Sequence, residues 1–269
     1  MIRFFKYTFL LATATALVTA CGDKNDFLQS VSPATGARVK FFHAAPDAPG
    51  LALYLNDKAF SGANTVPPAF PASLAYGLSF PLVDYGLVAP GTAKVKVNVA
   101  ATATTPEVPG FGGDLAVEDG KYYSVFATGV APTYEVLVVN DKLEAADRTK
   151  AYIRIVNLVT NSPVGGYELT VNGKSVTIAA AYKTVTEFQP IDAIPFATTA
   201  VPVTVKAGTT TALTLIGGLQ PYANRYYTMW CAAWWATPKL RWQRRCLRIA
   251  ELGINLKSHS NGLWSGFLG

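Results

Sequence analysis

A chain of 269 residues suits one or two domains, and 50% hydrophobic against 15% charged residues excludes intrinsic disorder as its overall state. Three cysteines are too few for a disulfide scaffold, and two histidines, His43 and His259, leave no basis for a His-rich metal site. The net charge of +6 sits at the ends, since residues 21–229 hold 15 basic against 16 acidic residues; a body this near neutrality disfavours nucleic acid as a partner.

Residues 1–6 carry Arg3 and Lys6, and residues 7–18 form an uncharged apolar run. That run is shorter than the roughly 20 residues a membrane span needs and fits a secretory signal peptide over residues 1–20. Val18-Thr19-Ala20-Cys21-Gly22 follows and resembles a bacterial lipobox, with cleavage between Ala20 and Cys21. Small residues before the cut fit a narrow peptidase pocket, and the Cys21 thiol would carry diacylglycerol. Each buried methylene is worth about 0.8 kcal/mol, and two or three acyl chains make a stable anchor. The expected membrane partner is therefore reached through lipid, in the cell envelope and at the outer membrane, with sidedness left open. Residues 21–36 are mostly polar and read as a tether, reaching about 20 Å r.m.s. if flexible.

The body is duplicated. Ala37-Arg38-Val39-Lys40-Phe41-Phe42-His43 aligns with Ala151-Tyr152-Ile153-Arg154-Ile155-Val156-Asn157. Leu53-Tyr54-Leu55-Asn56-Asp57-Lys58 aligns with Leu169-Thr170-Val171-Asn172-Gly173-Lys174, and Gly120-Lys121-Tyr122-Tyr123 with Asn224-Arg225-Tyr226-Tyr227. A period just over a hundred residues signals domain duplication rather than a solenoid. Residues 37–147 are expected to form one sandwich and residues 148–229 a second, joined near residues 144–150. Within each copy the apolar period is two: Val95, Val97 and Val99 alternate with Lys94, Lys96 and Asn98, and Val201, Val203 and Val205 with Pro202, Thr204 and Lys206. Residues 134–139 are more continuously apolar, as in a central strand covered on both faces. Asn56-Asp57, Asn172-Gly173 and Asp119-Gly120 supply turns. The fold class expected is all-β: two tandem immunoglobulin-like antiparallel β-sandwiches, the second incomplete at its C-terminus.

The segment from Arg38-Val39-Lys40-Phe41-Phe42-His43 through Ala44-Ala45-Pro46-Asp47-Ala48-Pro49, with a strand ending in Asn56-Asp57, resembles the opening signature of the domain-of-unknown-function 4397 family. The resemblance covers residues 37 to about 229. It implies an extracytoplasmic β-sandwich, found in secreted and lipid-anchored bacterial proteins, with no established activity. The second copy departs from it, with Asn157 and Asn161 at the places of His43 and Asp47.

His43 and Asp47 are the one pairing that invites base catalysis. Asn in the second copy can cap a turn but cannot shuttle protons at neutral pH, so a structural role is expected and no catalytic residue is assigned. The loop aspartates lack calcium-ligand spacing, and Gly110-Phe111-Gly112-Gly113 lacks the lysine of a phosphate loop. No metal and no cofactor is expected. Phe60, Phe70 and Phe111 fall in loops, where aromatics cap an open sandwich core or contact a glycan or protein ligand.

Residues 230–269 hold all five tryptophans, two cysteines and six basic residues, and no Val, Tyr or Asp. The break falls inside an expected strand, which points to a shifted reading frame; a basic, Trp-bearing membrane-surface segment is the rival reading. The function expected is a non-enzymatic, lipid-anchored envelope protein offering a binding or structural surface. The alternatives are a glycan-binding lipoprotein of a surface uptake system and, less well supported, a hydrolase using His43.

Overall fold

The computed structural model describes residues 35–61, 63–64, 70–71, 73–82, 84–102, 104–144, 146–196, 198–215, 218–232 and 246–252. The signal peptide with Ala20 and Cys21, most of the tether and most of the 230–269 tail lie outside the described residues. All regular structure described is strand. The first half supplies β1 (Ala37–His43), β2 (Leu51–Leu55), β3 (Lys58–Ala59), β4 (Ala63–Asn64), β5 (Phe70–Pro71), β6 (Ser79–Phe80), β7 (Gly86–Val88), β8 (Gly91–Val99), β9 (Val108–Val117), β10 (Tyr122–Val130) and β11 (Thr133–Asn140). The second half supplies β12 (Ala151–Asn157), β13 (Tyr167–Val171), β14 (Lys174–Ala179), β15 (Gln189–Ile191), β16 (Val203–Ala207), β17 (Thr210–Thr214), β18 (Tyr226–Cys231) and β19 (Cys246–Leu252).

In the first half one sheet runs β3-β2-β8-β9 and faces another, β11-β10-β1-β6, with β7 also on β1. In the second half β14-β13-β16-β17 faces β15-β12-β18-β19. Pairing is antiparallel except where the first strand of each half meets a late one. There β1 runs parallel to β10 and β12 parallel to β18, with Val39 opposite Tyr123 and Ile153 opposite Tyr227.

Alternation explains the outer sheets. Val95 and Val97 enter the first core, while Lys94 and Lys96 point to water and pair with Asp114 and Asp57. In β16, Val203 and Val205 enter the second core. Both short hairpins turn through two residues of positive φ, Asn56 (49°) with Asp57 (62°) and Asn172 (51°) with Gly173 (76°). That is the geometry whose twist matches the flanking strands, and which Asn, Asp and Gly tolerate.

The inner sheets are buried on both faces. Ala37, Val39, Phe41, Val125 and Ala127 pack on the first outer sheet, and Ile153, Ile155, Tyr227 and Met229 on the second. The alternate positions, Phe42, Phe126, Tyr152, Val156, Tyr226 and Trp230, form a third core in which the halves meet. The order through the molecule is therefore outer, inner, inner, outer, and from Gly36 onward the chain forms one compact unit.

Two expectations need correction. Residues 134–139 lie in β11, at the edge of its sheet rather than its centre. Tyr134 and Val136 lean on the first core and Leu137 on the third, which accounts for the continuous apolar run. The strands covered on both faces are β1, β10, β12 and β18. The expected loss of the last strands from the second copy also differs from what is seen. Strand β18 continues through Trp230 and Cys231 in unbroken register with Val156 and Asn157, and β19 pairs antiparallel on its far side, as β11 does on β10. Ladder pairing needs only backbone donors and acceptors, so the change in composition at residue 230 does not stop the strand.

Candidate functional site

The end of β1 holds the residues that first suggest chemistry. His43 is fully buried, with Nε2 3.0 Å from the Pro49 carbonyl oxygen. A carbonyl only accepts, so Nε2 carries the proton and Nδ1 keeps the lone pair; Nδ1 has no hydrogen-bond partner among the described residues. Asp47 does not orient the imidazole: its Oδ2 accepts from the Ala131 backbone N–H at 2.8 Å. At the corresponding place Asn157 accepts from the Val159 N–H at 3.0 Å and donates to Ser162 Oγ and the Ala179 carbonyl. His43 and Asn157 thus do the same work, tying a strand end to the loop that leaves it.

Burial holds the His43 pKa below its ordinary 6.5, opposed by the Pro49 hydrogen bond. The unfolded chain therefore takes up this proton first as the pH falls. The sign follows: the stability from a neutral His43 is complete above pH 6.5 and is lost as the pH falls from there toward the folded value. Urea unfolding at pH 7.5 and 5 is expected to show this loss, at most about 1.4 kcal/mol per pH unit. His43→Asn, which copies the second half, should flatten that part of the profile. An unchanged slope in the variant would remove His43 as its source.

Of the three phenylalanines expected in loops, two lie in strands instead, Phe70 in β5 and Phe111 in β9. Phe60 packs edge-on against Phe80 at 5.7 Å, and both rings lean on the first core. Phe111, in β9, stacks on Tyr134 in β11 at 5.7 Å and 25°, closing one side of the first sandwich. Burial, then the Asp47 carboxylate, pushes the Tyr134 phenol up. Phe70 lies in β5 opposite Asn64, and its side chain lies outside the described residues.

The most concentrated polar chemistry among the described residues lies between the halves, away from the residues that stand out in the sequence. Asp141 accepts from Tyr85 Oη at 2.8 Å, from Ser124 Oγ at 2.6 Å and from the Arg154 guanidinium. Arg154 Nε donates to Thr228 Oγ1 at 3.0 Å, and its guanidinium lies 4.4 Å from the Phe188 ring centroid. The ion pair is desolvated, the two side chains being 3% and 0% exposed. Burial, then the Asp141 carboxylate, raises the Tyr85 phenol well above its ordinary value. The sequence did carry a signal: Lys40 and Arg154 occupy equivalent places in two apolar strands, and Lys40 is equally buried, with Nζ 3.1 Å from the Leu82 carbonyl oxygen. At the rim, Glu135 takes Tyr182 Oη and Lys183 Nζ at 2.8 Å each, and Tyr76 Oη donates to the Ala232 carbonyl at 3.1 Å. These groups join the halves.

The architecture defines an all-β protein of stacked, mainly antiparallel sheets. Residues 37–164 match the model of the family described as Domain of unknown function (DUF4397), a span that takes in the first half, β12 and most of the loop after it. Among curated proteins none matches.

Proposed function

We propose that the chain is a lipid-anchored, non-catalytic protein of the bacterial cell envelope, held at the outer membrane, whose coupled sandwiches present a binding or structural surface. The observation that carries this reading is Val18-Thr19-Ala20-Cys21, placed after a charged start and an apolar run and ahead of a polar tether. It is supported by the contacts of His43 Nε2 and Asp47 Oδ2, each of which goes to a backbone group of a neighbouring loop rather than to the other side chain. Labelling cells with an alkynyl palmitate and fractionating them tests it. Wild-type chain is expected to carry label and sediment with the envelope, and Cys21→Ser to carry none and leave it. An unlabelled wild-type chain in the soluble fraction overturns the proposal. A second reading, glycan binding, is favoured by an exposed aromatic ring on the second half.

A further inference from the structure

We propose that the loops flanking the start of β12 and β18 form a carbohydrate-binding platform, in which Phe196 stacks on one face of a neutral pyranose and Gln220 hydrogen-bonds its hydroxyls; this deepens the glycan-binding reading and rests on it. Phe196 is 86% exposed, which leaves a ring face to water, and Tyr222 stacks behind it at 6.0 Å and 29°. Tyr222 Oη donates to Gln220 Oε1 at 2.6 Å and so orients the amide. Among the described residues Gln220 Nε2 reaches only the Thr198 carbonyl, at a long 3.5 Å, and keeps a donor for a ligand.

The platform is built on fixed backbone. The Tyr227 ring lies in the second core, and its hydroxyl donates to the Gln220 carbonyl at 2.9 Å while accepting from the Tyr222 N–H at 3.1 Å. The Ile194 N–H donates to the Pro221 carbonyl at 2.8 Å, joining the loop that carries Phe196 to the one that carries Gln220. The Asn224 N–H donates to the Lys150 carbonyl at 2.7 Å, and Lys150 Nζ pairs with Asp192 at 2.7 Å. Binding would order little, which lowers the entropic cost of a weak ligand. The first half holds its equivalent turn the same way, with Tyr123 Oη accepting from the Glu118 N–H at 3.1 Å, but has no aromatic on it.

Size and rim decide between a sugar and a protein. Among the described residues Phe196 is the one exposed large apolar side chain on these loops, and the same loops carry the polar Asp192, Thr198 and Gln220. Protein docking patches are contiguous over several hundred Å². A lone ring with fixed amide and hydroxyl neighbours matches one pyranose, with an apolar C–H face and polar edges.

The test is titration of the full-length chain in detergent with cellohexaose, mannohexaose, xylohexaose and chitohexaose, followed by calorimetry and by chemical shifts of the aromatic rings. At least one is expected to bind, with shifts at Phe196 and Tyr222. Phe196→Ala should weaken binding about tenfold or more, and Tyr222→Phe less, with the thermal midpoint unchanged in each. Binding that survives Phe196→Ala, or no binding by any of the four at about 10 mM, overturns the platform. Neither outcome depends on whether Cys21 carries lipid, so the anchor and the platform fail separately.

Discussion

Arg154→Ala is expected to lower the free energy of unfolding by about 3–5 kcal/mol, because it takes from the buried Asp141 carboxylate the guanidinium that it pairs with. The loss goes beyond one ion pair: the guanidinium also bonds Thr228 and covers Phe188. A charge removed from water on both sides of a sheet interface has no route back to solvent short of parting the halves. Asp141→Leu combined with Arg154→Met should recover much of the loss, since a desolvated pair exchanged for apolar groups of similar size is often neutral. Recovery will be incomplete, because Tyr85 and Ser124 then lose their acceptor. Urea unfolding of the two variants side by side decides the matter. A double variant no more stable than Arg154→Ala would mean that the pair is not the desolvated element assigned here.

Trp230→Ala should cost about 3–5 kcal/mol, the range for deleting a buried aromatic. Trp230 is 1% exposed, lies opposite Val156 in the parallel pair and meets Tyr76 of the first half edge-on at 6.5 Å. Its removal opens a hole in the layer that both halves share. Trp230→Phe keeps an aromatic ring and should cost about 1–2 kcal/mol. Denaturant midpoints and their slopes measure both; a cost below about 1 kcal/mol for Trp230→Ala would show that the ring is not packed as described.

The outer sheets were legible because one wet face leaves a clean signature: Lys94 and Lys96 between buried valines declare both the strand and its inward side. The hairpins were legible because Asn56-Asp57 and Asn172-Gly173 are among the few pairs that accept two positive φ values in succession. The inner sheets were not. In Arg38-Val39-Lys40-Phe41-Phe42-His43 the apolar residues face two different cores, and period two cannot tell what covers the second face. The same ambiguity put residues 134–139 at the centre of a sheet when they lie at its edge. Asp141 and Arg154 sit on opposite sides of the joint, so only the folded chain brings them together. For the candidate site, Phe196 was not singled out in the sequence, because nothing in its local sequence sets an outward ring apart from an inward one such as Phe60. Phe60 turned inward because Phe80 and the first core give it partners, whereas the one ring partner of Phe196 among the described residues is Tyr222.

The layer holding Phe42, Phe126, Tyr226 and Trp230 makes each half smaller than the unit of stability. Cut between β11 and β12, either fragment would carry a broad oily face into water, together with half of an ion pair. Such pieces would seek each other or clump. What resists unfolding is the couple, and neither half holds that resistance alone.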